Sequence, residues 1–457
     1  MAAISATLPR GSTLLQQFGR LGGPSVALIA AVALAYKPTY FVWAAGVPWV
    51  LDVYQKVAIG ASDIGLLLIA LCGIGGRPLP PAGRALKIAG TVLVVCLTLS
   101  TSVAEQPLLA FVAVARCWVG LLAALAIARR PGLVPWLLLG GALGLIAQIP
   151  FVEIQMITQS TYPSGQIFDG WPNDVSANAP GAAAIIGPDG TRWQRAFGTF
   201  PHPNVLGGAV AVALVLALPR MLRDGRPTWP AAALWALGWV MLLLTFSRAA
   251  LLAAVLGCAL YLLGERGFRL RSLGRLLIAP AAGLALTAVF FSSAIFTRLS
   301  VGKELIASPA VQERGLIADV AWTMIKHARW RGVGAGNFTL AELHPPFDAT
   351  SVEPAHAVPL LIAAEAGVLA GLAWFAMLLA PLLVEWFRSR RITIARLAAP
   401  TTLLTIALLD HYLWTFGPGR TLFWLALGIW VAGASSGRRK QNPNGLSSPD
   451  HDAVTQP

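Results

Sequence analysis

Apolar runs long enough to cross a bilayer recur along the whole chain, separated by shorter polar stretches. A hydrocarbon core of about 30 Å needs about 20 apolar residues in a helix, and by that length the pattern predicts about twelve spans. They centre near Ala30, Leu67, Val94, Ala115, Leu143, Val212, Leu237, Val255, Leu284, Ala370, Leu404 and Leu427. The first is interrupted by Lys37 and Pro38, and Tyr40 to Leu51 reads as re-entrant or interfacial. The fold class expected is therefore all-α, a polytopic membrane helical bundle. One embedded domain covers residues 1–434, and 435–457 form a Ser-, Pro-, Asn- and Asp-rich tail with the composition of a disordered segment.

Two polar stretches, 159–195 and 296–357, exceed the usual connection, the second lying between the ninth and tenth spans. Loops of more than about 12–15 residues in a compact domain are usually functional or disordered. Within the second, Gln312 to Trp330 carries Leu316, Ile317, Val320, Met324 and Ile325 at helical spacing. That pattern predicts an amphipathic helix on the membrane surface or on the bundle. Gly332, Gly334 and Gly336 then form a turn.

Composition agrees. Of 457 residues, 56% are hydrophobic and only 12% charged, about half the charged share of a soluble chain. The net charge of +14 would suggest nucleic acid in a soluble protein. Here the cations instead fill every second connection: Arg77, Arg84 and Lys87; Arg129 and Arg130; Arg220, Arg223 and Arg226; Arg266, Arg269, Arg271 and Arg275; Arg388, Arg390, Arg391 and Arg396; Arg438, Arg439 and Lys440. By the positive-inside bias both termini are cytoplasmic and both long loops face outward. No nucleic-acid partner is implied. The first twenty residues are polar and show no apolar core of a cleavable signal. Cys72, Cys96, Cys117 and Cys258 all lie within apolar runs, at spacings that fit neither a disulfide framework nor a zinc site.

Against this background some polar residues stand on the unexpected side. Arg195 precedes the sixth span, Arg248 lies in the turn Phe246-Ser247-Arg248, Arg314 opens the amphipathic helix and His356 precedes the tenth span. Ionisable residues at a membrane edge are expensive and often functional. Each alone has a plainer reading: Arg248 as a headgroup anchor, Arg314 as one charge on a solvated face, His356 as a loop histidine. His202, between two prolines, reads as a turn residue, and His411 beside Asp410 as a hydrogen-bonded pair. Their convergence is what suggests chemistry. Arg presents a planar fork to phosphate oxygens, and imidazole suits a general base acting on a hydroxyl. No His-Glu-x-x-His occurs, no Gly-x-x-x-x-Gly-Lys-Ser/Thr occurs, and the single Asp-x-Asp is Asp450-His451-Asp452 in the tail. Metal-dependent nucleotide-sugar enzymes, ATPases and zinc proteases are disfavoured. No cofactor and no metal site is expected.

Four segments then resemble those of the O-antigen ligase and O-antigen polymerase superfamily. They are Arg195-Ala-Phe-Gly-Thr-Phe-Pro-His-Pro-Asn-Val-Leu-Gly207, Thr245-Phe-Ser-Arg-Ala-Ala250, Arg314 with Trp330-Arg-Gly-Val-Gly-Ala-Gly-Asn-Phe338, and Ala355-His-Ala-Val-Pro-Leu-Leu-Ile-Ala-Ala-Glu-Ala-Gly367. The resemblance implies a bundle of the membrane glycosyltransferase (GT-C-like) class in a bacterial inner membrane. It implies metal-independent, inverting transfer of a glycan from a polyprenyl diphosphate carrier to a hydroxyl of a lipid-core or glycan acceptor. Arg195 and Arg314 would bind the diphosphate and His356 would be the base. Arg248 would be a third basic contact or an anchor, and His202, Asn204 and Glu365 are secondary candidates. Ala357 follows the histidine where Asn is common in the family. Glu365 reads as a partner for an Arg or as a hydrogen-bonding residue within the bundle, and Gly367 and Gly371 are spaced for close helix packing. Ligase and polymerase share this donor chemistry. A flippase or secondary carrier is the reading from another class, and it calls for repeated halves and for charges at the membrane midplane, where Asp63, Glu153 and Glu365 are the acidic candidates.

Overall fold

The structure, a computed structural model, describes residues 22–35, 39–44, 54, 56–74, 76–162, 176–178, 183–186, 190–222, 227–265, 270–299, 309–347, 352–390 and 392–436. The tail from 437 onward lies outside them, as do 163–175, 300–308 and the cations Arg223, Arg226, Arg266, Arg269, Arg391, Arg438, Arg439 and Lys440.

The chain is mostly helical, and each of the twelve expected centres falls on a helix. In order these helices are α1 (Gly23–Ala35), α2 (Ala61–Cys72), α3 (Pro81–Ser100), α4 (Pro107–Arg129), α5 (Val134–Ile146) with its continuation α6 (Ile149–Thr158), α7 (Pro203–Met221), α8 (Trp229–Leu244), α9 (Arg248–Gly264) and α10 (Leu270–Leu299). After the long second loop come α11 (Pro309–His327), α12 (Phe338–Ala341), α13 (Val358–Ala366), α14 (Val368–Ser389), α15 (Ala398–Leu409), α16 (Tyr412–Thr415) and α17 (Gly417–Ser436). Among the described residues five stretches are long and apolar enough to cross a membrane: Pro81–Val103, Pro107–Arg129, Pro131–Thr158, Pro203–Met221 and Val368–Ser389. Six further apolar helices are shorter.

Two small antiparallel hairpins depart from the all-α expectation. Strand β1 (Thr39–Ala44) pairs with β2 (Lys56–Gly60), and β3 (Ala184–Ile186) with β4 (Arg192–Gln194). The first occupies part of the stretch read as re-entrant, where Thr39, Tyr40, Phe41, Val42 and Trp43 give a short β-branched and aromatic run.

Inside the bundle α14 packs along α3, α17 along α4, α1 along α5 and α8 along α10. Gly120 of α4 lets α17 approach so closely that a Cβ there would sit 2.1 Å from Trp424 Nε1. Trp374 and Phe423 stack at 5.5 Å. Helix starts follow local chemistry: Pro107 and Pro203 occupy first-turn positions where no N–H is needed, and Ser247 accepts from Ala250 N to cap α9.

The predicted surface helix is present as α11, shifted three residues toward the N-terminus. It buries Ile317, Ala321, Met324 and Ile325 against Leu361 and Ala364 of α13. Its C-terminal connection is stitched to the elbow between α13 and α14: Val333 N donates to Ala364 O at 3.0 Å, Gly334 N to Glu365 O at 2.9 Å, and Val368 N to Arg329 O at 2.9 Å. At the elbow Gly367 has φ 89°, and a Cβ there would lie 2.2 Å from Trp330 O. Helix α13, at nine residues about 13 Å long, folds back on the first turns of α14, with Gly371 against Pro359 and Ala363.

Candidate functional site

Three chain breaks meet at one end of the bundle: the start of α7, the loop before α13, and the break between α15 and α16. At the first, Arg195 is 8% exposed. Its Nε donates to Thr245 O at 2.9 Å and its guanidinium to Asn204 Oδ1 at 2.5 Å. Thr245 ends α8 just before the Phe246-Ser247-Arg248 turn, where Phe246 takes a φ of 50°. The Asn204 amide reverses direction, with Nδ2 donating to Asp410 Oδ2 at 2.6 Å. His202 caps α7, its Nδ1 accepting from Asn204 N at 3.1 Å.

Asp410 belongs to the third break. Its Oδ1 accepts from His411 N at 2.8 Å, and His411 Nδ1 lies 2.7 Å from Thr415 Oγ1. The His411 ring meets the His356 ring edge-on, with centroids 4.9 Å apart, and Tyr54 meets His411 from another side at 5.8 Å. An unbroken set of contacts thus joins Arg195, Asn204, Asp410, His411 and His356. Behind it, Arg420 donates to Thr415 O at 2.5 Å and lies 3.5 Å from Asp63 Oδ1. Asp63 also pairs with Arg116 at 3.2 Å and accepts from Gly60 N. This ion cluster ties the loop of His411 to α2 and α4. Asp63, a candidate for depth in the sequence, is half-buried within it, whereas Glu153 is exposed.

His356 is half-buried. Its Nε2 lies 4.0 Å from Glu353 Oε2, and its Nδ1 is buried with no hydrogen-bond partner among the described residues. Burial, the neighbouring His411 and Arg314 depress its pKa to about 4, with Asp410 opposing. Burial and then Arg314 bring His411 to about 3. His202 is held well below its ordinary value by burial, Arg195 and the other two histidines. All three imidazoles are therefore neutral near pH 7, the form that can accept a proton.

Arg314, half-buried on α11, is within electrostatic reach of His202, His356, His411, Glu353 and Arg248. The four residues predicted from four distant segments are thus brought together: Arg195 through hydrogen bonds, Arg314 and Arg248 through proximity, His356 at the centre. Glu365 stands apart from the arginines. It is buried and accepts from Trp414 Nε1 at 3.0 Å, so of its two expected roles it takes the one within the bundle.

Several residues of the site had little or no sequence signal. Asp410 and His411 stood out only as a polar pair at the end of an apolar run. Glu342 is fully buried, with the Glu353 backbone N–H near its carboxyl. Burial and the facing Glu353 push its pKa up to about 9. Glu353 is itself raised by burial and Glu313, with Arg314 opposing.

One ligand atom each from His356, Asp410 and His411 lies within 4.8 Å of the others. A divalent transition ion needs donors at about 2.0–2.2 Å. Both Asp410 oxygens already accept hydrogen bonds, and the Arg314 cation is near. The set is better matched to hydroxyl groups and protons than to a cation.

No curated protein matches the chain. Residues 231–375, which carry Arg248, Arg314, His356 and Glu365, match the family model described as O-Antigen ligase, and this segment of the chain is therefore similar to that family.

Proposed function

We propose that the protein transfers a glycan from a polyprenyl diphosphate carrier to an acceptor hydroxyl, with inversion and without a metal, on the outward side of a bacterial inner membrane. The observation that carries this reading is the meeting of a neutral, partly unpartnered His356 with Arg195, Arg248 and Arg314 at one end of an apolar bundle. His356 takes the acceptor proton as the new C–O bond forms. The bond to the carrier breaks with its electron pair on the diphosphate, and Arg314, Arg248 and Arg195 stabilise that developing charge. Asn204 and Asp410 hold Arg195 and the histidine pair in register. An apolar cavity of about 270 Å³, lined by Leu145, Ala213, Ala217, Leu234, Trp235 and Ile429, suits a prenyl chain. Both termini are then cytoplasmic, as the positive-inside pattern requires.

The same donor chemistry serves ligase and polymerase, and the ligase reading is preferred. A carrier would put Asp63, Arg116 and Arg420 to use as intramembrane charges. These three pair with one another and with backbone carbonyls that hold the His411 loop, which favours a structural role.

The test is product analysis with purified protein in liposomes, given a polyprenyl-diphosphate oligosaccharide with or without a lipid-core acceptor. Wild type is compared with His356→Ala, and a chelator arm tests metal independence. Product on the core that needs His356 supports a ligase, and elongation without the core a polymerase. Absence of product with either acceptor, or equal product from both proteins, overturns the assignment.

A further inference from the structure

The C-terminal end of α11 carries a feature that the transfer reaction does not use. Trp322, Lys326 and Arg329 recur at four and three residues, which places them on one stripe of the helix and the turn that follows it. That stripe points away from the buried one of Ile317, Ala321 and Met324. Trp322 is 53% exposed and Trp330 76% exposed, while Lys326, Arg329 and Arg331 are exposed as well. None of the three cations makes an ion pair or side-chain hydrogen bond among the described residues. Asp319 is exposed farther toward the N-terminus, so the positive charge is concentrated at the end next to the elbow.

The depth of this patch follows from a backbone bond. Val368 N, at the first residue of α14, donates to Arg329 O. Helix α14 has 22 residues and is long and apolar enough to cross a membrane. At 1.5 Å per residue it is about 33 Å long, close to the hydrocarbon thickness of about 30 Å. Its first residue therefore lies at the membrane boundary, and Arg329, Trp330 and Arg331 lie level with the headgroups. A helix C-terminus alone would account for solvated cations. It does not account for two exposed indoles beside them, which are the residues that favour the headgroup layer.

We infer that Trp322, Lys326, Arg329, Trp330 and Arg331 form a binding surface for anionic phospholipid headgroups. Through it the bilayer pins the helix that presents Arg314. The occupant is set by charge and depth: three unpaired cations call for phosphate, and their level is that of the surrounding lipid.

The test uses the full chain in nanodiscs of phosphatidylcholine alone or mixed with phosphatidylglycerol, with hydrogen–deuterium exchange followed over residues 322–333. Exchange is expected to slow by at least about fivefold in the anionic discs, the ratio one cation near an anionic surface contributes. The variant Lys326→Gln/Arg329→Gln/Arg331→Gln should lose that difference while melting normally. Equal exchange in both lipids, or an unaltered difference in the variant, overturns the inference. Protection by an added glycolipid acceptor in phosphatidylcholine, with phosphatidylglycerol inert, also overturns it and assigns the patch to the acceptor. The readout is independent of turnover, so its failure leaves the transferase reading untouched, and the reverse holds too.

Discussion

Asn204→Ala is the substitution that tests the architecture of the site most directly. Asn204 is 9% exposed and bridges two charged, buried side chains, donating to Asp410 at 2.6 Å and accepting from Arg195 at 2.5 Å. A hydrogen bond to a charged group is worth about 1.5–3 kcal/mol, so losing both costs about 3–6 kcal/mol if no water replaces the amide. One decade of rate corresponds to about 1.4 kcal/mol. Even the lower figure, if it falls wholly on the transition state, lowers transfer by about a hundredfold. Initial rates of glycan transfer should be measured beside thermal melts of the same preparation, since the loss divides between the two. Asn204→Asp gives a sharper contrast. It retains a partner for Arg195 but sets a carboxylate against Asp410, and two adjacent carboxylates raise the pKa of one of them. Its rate should therefore recover as pH falls from about 8 to 6 and a shared proton restores the bridge. An Asn204→Ala protein with wild-type rate and wild-type melting would refute the view that this amide holds the histidine pair in place.

Glu342→Gln addresses the buried carboxyl. A folded-state pKa of about 9, raised from an ordinary 4.5, makes a contribution that is complete below the unfolded value and lost as pH climbs through the folded one. Wild type should lose melting temperature from about pH 5 to 9 and level off above it, and Glu342→Gln should match wild type near pH 4.5 and lose less as pH rises; parallel curves would count against a proton held there. Gly367→Ala tests the elbow. Its φ of 89° and ψ of 163° lie in a region that costs other residues about 1–3 kcal/mol, and the new Cβ would press on a backbone oxygen that cannot swing aside. Melting should drop by several degrees and exchange over 329–334 should rise; an unchanged melt would mean that the elbow relaxes.

The helices, the surface helix and the four basic and histidine positions could be read from the chain because each leaves a local trace. Long apolar runs mark α3, α4, α7 and α14, a 3.6-residue pattern marks α11, and cations on the unexpected side mark Arg195, Arg248 and Arg314. The remainder depends on contacts between distant segments. Nothing near Asn204 signals that its amide reaches Asp410, 206 residues away. Glu342 lies among Leu340, Leu343 and the Pro345-Pro346 pair and reads as an ordinary loop acid until its burial is known. Asp63 looked like a lone acid within a span, and its meaning came only with Arg116 and Arg420 on two other helices. The β1–β2 hairpin was obscured by an apolar stretch equally compatible with a membrane-dipping segment.

The loop bearing Asp410 and His411 is held by Arg420, which follows it in the chain. While the protein is being made, α7, α11 and α13 can be synthesised and find one another before that arginine has left the ribosome. During this interval the Asn204 amide faces no carboxylate, and His356 lacks the ring it packs against. The nascent bundle is thus a nearly finished scaffold without its working centre, and arrival of α17 is the event that arms it.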